Sequence, residues 1–327
     1  MNALSVKVYA KMNLTLEITG EENGYHTLDS LVANVDICDV VRLKKRKDKH
    51  SFVKMQGMGS DSIPIEKNLA FLAAEAFSER FNCNGVDVMV FKDIPMSAGL
   101  GGSSADVAGV INGMATMYGV NDEEALKSLA DSLGSDVSYM RMGGFARMRG
   151  RGSEIEKLEG FAPLHFLMLC PKEGVSSKEC YQTYDKLKKT QEKGNTSCDN
   201  RNNMGVYNRS ATENCIRALR ENKVNEVGRY LMNDLYEPAS KLSPAVKVAM
   251  EEALSFSPLG VTMTGSGSAV LALFETKELC EWAKSRYKGK SVACVVSTLV
   301  GRKEKNKISL FRNPFALSEE EILDCER

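Results

Sequence analysis

Between an extended apolar segment, Val86 to Phe91, and a helical stripe of Val107, Val110, Ile111, Met114 and Tyr118 lies one run. It reads Pro95-Met96-Ser97-Ala98-Gly99-Leu100-Gly101-Gly102-Ser103-Ser104-Ala105-Asp106. This run constrains the fold more than any other: a strand must end, a glycine-rich turn must follow, and a helix must start there. The first turn of a helix has backbone N–H groups without helical partners and carries the positive end of the dipole, so it suits a phosphate. Glycines let the backbone come close to an anion, and the hydroxyls of Ser97, Ser103 and Ser104 add donors. Two readings stand side by side: a phosphate-binding loop, or a flexible turn capped by serine. The run is not a Walker loop, because no Gly-Lys-Ser/Thr follows, and it lacks the third glycine of a dinucleotide fingerprint.

The rest of the chain supplies strands and helices without strict alternation, which predicts an α+β fold. Val6, Val8, Ala10, Met12, Leu14, Leu16 and Ile18 alternate with Lys7, Tyr9, Lys11, Asn13, Thr15 and Glu17. Period two predicts a strand over Val6 to Ile18 with Lys11 and Asn13 on its polar face. Helices are predicted near 68–81, 122–133, 212–220, 227–235, 244–254 and 277–287, and strands near 164–170, 261–264, 269–274 and 292–297. Residues 188–205 are rich in Lys and Asn and lack apolar periodicity, which predicts a mobile loop. A second unit is expected to begin near Phe161, giving divisions at 1–160 and 161–300 and a charged extension at 301–327 with a helix near 318–325.

Lys plus Arg number 43 and Asp plus Glu number 43 in the 327 residues. That balance argues against a dedicated nucleic-acid binder, whose affinity needs a basic surface. The nine cysteines have no metal-clip spacing, so no structural metal is expected, and small buried thiols in a reducing compartment are. Lys7 and Lys11 interrupt any leader-like core, and no apolar run reaches a membrane span. A cytoplasmic enzyme for a small molecule is the expectation, with no nucleic-acid or membrane partner and an undetermined oligomeric state.

Other candidate residues are ambiguous taken singly. Thr264-Gly265-Ser266-Gly267 reads as a tight hairpin turn. Asp136, in Gly134-Ser135-Asp136-Val137, reads as a helix N-cap. Asn68 reads as a helix start, His26 as a structural histidine and Tyr25 as a core aromatic.

Together they resemble the GHMP kinases (galactokinase, homoserine kinase, mevalonate kinase and relatives). The loop at Pro95 to Ala105 matches that family's phosphate-loop pattern, and Thr264 to Gly267 matches its late glycine turn. Ala10-Lys11-Met12-Asn13-Leu14, then Thr19-Gly20 and Gly24-Tyr25-His26-Thr27-Leu28, is similar to members that act on a cytidine-diphosphate-linked alcohol. The resemblance runs in motif order over about residues 5–298. Departures are Ala105 before Asp106, where those members read Ser-Ser-Asp, and Ser138-Tyr139 in place of Pro-Phe.

The resemblance implies a ribosomal-protein-like N-terminal domain, a ferredoxin-like C-terminal domain and an active site in the cleft between them. It implies ATP-dependent phosphorylation of an alcohol, with ATP and Mg2+ as cofactors. ATP would lie on Asn68 and on Pro95 and Ser97 to Ser104. Asp136 would act as base and Lys11 would stabilise charge. The acceptor would meet Asn13, Tyr25, His26, Tyr181, Thr264, Gly265 and Ser266. A GHMP kinase for homoserine, mevalonate or a sugar is the alternative; a non-catalytic nucleotide sensor is a further one.

Overall fold

The computed structural model describes residues 2–57, 64–194, 210–300 and 308–309. Its organising feature is one long antiparallel ribbon. Strands β1 (Ala3–Asn13) and β2 (Thr15–Glu22) run in succession along β3 (Tyr25–Lys45), from Ala3 opposite Lys44 to Glu22 opposite Tyr25. The two residues left at the tip, Asn23 and Gly24, have φ of 52° and 76°. Both are left-handed, as a two-residue hairpin whose turn follows the strand twist requires. The expected strand over Val6 to Ile18 is thus present but interrupted at Leu14, whose N–H donates to the Leu31 carbonyl at 2.8 Å. Its apolar face enters the core, with Val6, Val8, Ala10, Met12 and Leu14 buried. Lys11, Asn13 and Thr15 on the polar face are buried as well.

The 21-residue β3 carries most of the sheet. On its other edge lie β5 (Val86–Lys92), opposite Val40 to Lys45, and β6 (Phe145–Gly150), opposite Leu28 to Val32. β4 (Phe52–Gly57) runs parallel to β5, and β7 (Glu154–Leu158) forms a hairpin with β6. Helices α1 (Leu69–Arg80), α2 (Gly102–Tyr118), α3 (Glu123–Leu133) and α4 (Val137–Met142) complete this half. The apolar residues of α2 and the inner face of β1 and β3 belong to one buried core.

The second sheet has the order β10 (Gly260–Met263), β11 (Val270–Phe274), β8 (His165–Cys170), β12 (Val292–Ser297), antiparallel throughout. Helices α9 (Pro244–Leu254) and α10 (Lys277–Arg286) pack on it, in a ferredoxin-like arrangement. Between β8 and α9 come α5 (Ser177–Gly194), α6 (Ala211–Arg220), α7 (Val224–Tyr230) and α8 (Tyr236–Leu242).

The halves are joined by more than the chain. The Glu17 carboxylate of β2 accepts from the first N–H groups of α6, Ala211 and Thr212, at 3.2 and 2.9 Å. A short strand β9 (Met232–Asn233) pairs in parallel with Thr15 and Leu16. The Leu299 N–H after β12 returns to the Asn34 carbonyl at 3.0 Å. β13 (Ile308–Ser309) lies antiparallel to β1.

Two sequence expectations are corrected here. The helix expected over 227–235 stops at Tyr230, because Met232 and Asn233 join the first sheet and Asp234 accepts from the Ile18 N–H at 2.8 Å. The segment expected to be a loop from Lys188 is helical as far as Gly194. Residues 188–194 contain no apolar side chain, so the sequence shows no apolar stripe there. The rest of that segment and the helix expected at 318–325 lie outside the described residues.

Candidate active site

Beyond β5 the chain crosses from Asp93 to Gly101 before α2 begins, and both halves of the molecule hold this crossing. The Lys11 N–H of β1 donates to the Leu100 carbonyl at 2.9 Å, and the Ala269 N–H beside β11 donates to the Ala98 carbonyl at 3.2 Å. Gly99 is pressed against the β10–β11 turn: a Cβ there would stand 2.1 Å from the Thr264 carbonyl oxygen, at a φ of +79°. No side-chain-bearing residue fits both conditions.

α2 then starts without a cap. Asn68, Asp122, Ser210 and Thr276 close α1, α3, α6 and α10 with side-chain oxygens. The N-cap of α2 is Gly101, at φ 70°, which has no side chain to offer. The amides of Gly102, Ser103 and Ser104 therefore have no side-chain cap, and uncapped amides at a helix start suit an anion. These residues, with Pro95, Ser97, Ala98, Gly99, Leu100 and Gly101, line a cavity of about 300 Å³.

A second cleft, of about 790 Å³, is lined by Asn13, Tyr25, His26, Tyr181 and others. The two cavities share Lys11, Ser104, Asp136, Ser177, Gly265 and Ser266. At this junction Lys11 Nζ donates to Asn13 Oδ1 at 2.9 Å and sits 3.3 Å from Asp136 Oδ2. Asn13 is itself fixed on every side. Its Oδ1 accepts from the Gly265 N–H at 3.1 Å, its Nδ2 donates to Ser30 Oγ at 2.8 Å, and its N–H donates to Thr264 Oγ1 at 3.0 Å. Asn13 and Thr264 thus orient Lys11 and lock the glycine turn to β1. Asp136 stands at the N-terminus of α4 but makes no capping hydrogen bond. Its carboxylate is half-buried at the junction and engaged by Lys11.

In the large cleft His26 stacks on Tyr181 with ring centroids 5.0 Å apart and planes at 26°, and meets Tyr184 edge-on at 5.6 Å. His26 Nε2 lies 2.7 Å from Asp185 Oδ1. Burial, with the charge of Asp136 adding, pushes the Tyr181 phenol up to about 12. Tyr25 is 56% exposed, beneath the Arg151 guanidinium at 3.7 Å from its ring centroid. The Ser266 and Ser177 hydroxyls are 2.7 Å apart.

Of the residues singled out in the sequence, all but Asn68 line these two cavities or, as Thr264 does, brace them. Asn68 accepts from the Ala70 and Phe71 N–H groups as the cap of α1, one layer behind Met55 of the smaller cavity. Sequence reasoning missed Asp185 and Arg151. It also missed a buried group beneath the loop: Lys92 Nζ lies between Asp39 and Asp106, 2.7 Å from Asp106 Oδ2. Asp39 Oδ1 also accepts from the Asp93 and Ile94 N–H groups at 2.7 and 2.8 Å, which anchors the start of the loop. Burial pulls the Lys92 ammonium down, but Asp106 and Asp39 outweigh it and the net shift is upward. Burial drives the Asp106 carboxyl well above the ordinary range against the pull of Lys92. A charge at the end of a strand, followed by the loop, was the one available signal for Lys92.

Comparison with known proteins fits this geometry. The family model for the N-terminal domain of GHMP kinases matches residues 68–145, and that for the C-terminal domain matches 215–287. A 4-diphosphocytidyl-2-C-methyl-D-erythritol kinase of Clostridium beijerinckii is 34% identical over 87% of this chain and 97% of its own length. The enzyme of the same name from Clostridium tetani is 31% identical over 88% and 96%. A crystal structure of a 4-(cytidine 5'-diphospho)-2C-methyl-D-erythritol kinase superposes with a TM-score of 0.68 at 26% identity, covering 89% of this chain and 98% of that one. A homoserine kinase from Cytophaga hutchinsonii reaches a TM-score of 0.69 at 18% identity over 94% and 98%, a likeness of fold alone. On the fold, the cradle and these relatives together, the chain belongs to the GHMP kinase family.

Proposed function

We propose that this chain transfers the γ-phosphoryl group of ATP to the 2-hydroxyl of 4-diphosphocytidyl-2-C-methyl-D-erythritol, a step in the synthesis of isoprenoid precursors by the non-mevalonate route. One observation carries the reading: Lys11 and Asp136 line both cavities at once. A group lying on the uncapped end of α2 and a hydroxyl entering from the aromatic cleft would meet at these two side chains. Relatives that bear this activity share about a third of the sequence across most of its length.

Asp136 takes the proton of the acceptor hydroxyl, and Lys11, held by Asn13, stabilises the negative charge that develops on the attacking and transferred oxygens. Phosphoryl transfer asks mainly for positioning and charge neutralisation. The amides of Gly102, Ser103 and Ser104 hold the nucleotide's phosphates, and Lys11 completes the cradle. Among the described residues no group of three or more His, Cys, Asp or Glu converges. The oxygen donors at the junction, the Ser104 hydroxyl and the Asp136 carboxylate, suit Mg2+ that arrives on ATP and keeps phosphate and water ligands. Bound there, Mg2+ neutralises phosphate charge.

Tyr25, His26 and Tyr181 form the base pocket, and Gly265 and Ser266 close over the acceptor. We assign residues 1–160 and 161–300 to the two GHMP kinase domains, and a cytoplasmic setting to the enzyme. No helix among the described residues is long and apolar enough to cross a membrane. An ADP-release assay over a panel of alcohols tests the substrate. Turnover with the cytidyl acceptor and none with homoserine, mevalonate or free sugars is expected. Turnover with one of those and not with the cytidyl acceptor overturns the assignment.

A further inference from the structure

Helix α5 sets Tyr181, Tyr184 and Asp185 on one face, at the three- and four-residue spacing that brings helical side chains together. All three converge on His26 of β3. The aromatic rings fix the plane of the imidazole, and the carboxylate fixes something else. An ionised carboxylate only accepts hydrogen bonds. With Asp185 Oδ1 2.7 Å from Nε2, the proton of the imidazole must sit on Nε2. In the neutral ring Nδ1 is then a bare acceptor. Among the described residues no group hydrogen-bonds to Nδ1, and His26 lines the large cleft.

An acceptor at that position distinguishes the two common pyrimidines. Cytosine carries an exocyclic N4 amino group, a donor, where uracil carries the O4 acceptor. The first would satisfy Nδ1, and the second would set two lone pairs against each other. We infer that Asp185 is a positioning residue that holds His26 in its Nε2–H tautomer and so makes the pocket select an amino-bearing pyrimidine. The inference rests on the reading of the acceptor as a cytidine diphosphate compound. Asp185 lines the same cleft as His26. It acts through His26, and a pocket whose polar group is left mispaired rejects the wrong base.

Two measurements on the full-length protein test it. The 15N spectrum of the histidine rings, assigned through a His26→Gln variant, should show Nε2 protonated and Nδ1 unprotonated. A ring protonated on Nδ1, or on both nitrogens, overturns the inference. In parallel, CDP and UDP are titrated as competitors of the acceptor at saturating ATP. The wild-type enzyme should favour CDP by about tenfold or more. In Asp185→Asn the amide can turn its N–H toward Nε2 and free the other tautomer. The CDP preference should then fall toward unity, and the acceptor KM should rise more than kcat falls. Asp185→Glu should restore the preference. A wild-type enzyme with no CDP preference overturns the reading of the acceptor and the inference with it. A wild-type preference that persists in a folded Asp185→Asn variant overturns the inference alone.

Discussion

The buried group of Asp39, Lys92 and Asp106 places two carboxylates around one ammonium, all almost fully shielded from water. Asp106 Oδ1 has no hydrogen-bond partner. Its folded-state pKa lies well above the ordinary 3.8, so the folded chain binds a proton that the unfolded chain releases. By linkage that contribution is complete below the ordinary carboxylate pKa and is lost as pH rises toward the folded value. Asp106→Asn keeps the shape without the proton. Its stability relative to the wild type should therefore increase from acid to neutral pH, which chemical denaturation at pH 4 and pH 8 would show. An unchanged difference means Asp106 is not held protonated. Lys92→Met should do the reverse and cost about 3–5 kcal/mol, because it strands a buried charge. A lowered denaturation midpoint checks it.

The elements show how much could be read beforehand and why the rest could not. Strand β1 and the α2 loop were legible, because period two and a glycine-serine run leave few alternatives. The hairpin tip was legible too, in Asn23-Gly24, yet the left-handed turn was not read from it. Strand β3 was obscured because both of its faces are covered: Asp29, Ser30, Asn34 and Asp39 are buried beside Leu31, Val32 and Val41, which erases the alternation. The six residues of α4 are too few to show a period. Spacing also could not tell a capping Asp136 from a free one, since that depends on where β1 delivers Lys11. Gly101 marks the same limit. From sequence, its use is to admit a phosphate. In the structure a Cβ there would meet Met140 Cε at 2.4 Å and Lys11 Cγ at 3.0 Å. Gly101→Val should therefore displace Lys11 as well as strain a left-handed N-cap. Calorimetry with a non-hydrolysable ATP analogue should find affinity reduced about tenfold or more in a folded variant, since a 1.4 kcal/mol loss is a factor of ten. Unaltered affinity would place the phosphates elsewhere.

For the whole molecule, the site exists only because the halves close on one another. Asn13 comes from the first sheet and Thr264 and Gly265 from the second, and hydrogen bonds between them set the position of Lys11. The likeness to a homoserine kinase fold shows that the frame alone does not select an acceptor. Selection is left to the side chains lining the cleft, as fold-level likeness generally requires. Lys11 and Asp136 line both cavities, where the proposed reaction brings nucleotide and acceptor together with Asp136 as the base. The most direct measurement is single-turnover phosphoryl transfer from ATP to the cytidyl acceptor, followed by 31P NMR, in the wild type and in Asp136→Asn, with both ligands bound as checked by calorimetry. A new phosphomonoester signal is expected in the wild type and a rate at least about a hundredfold lower in the variant. A folded Asp136→Asn enzyme that binds both ligands and transfers at close to the wild-type rate would contradict that role of Asp136.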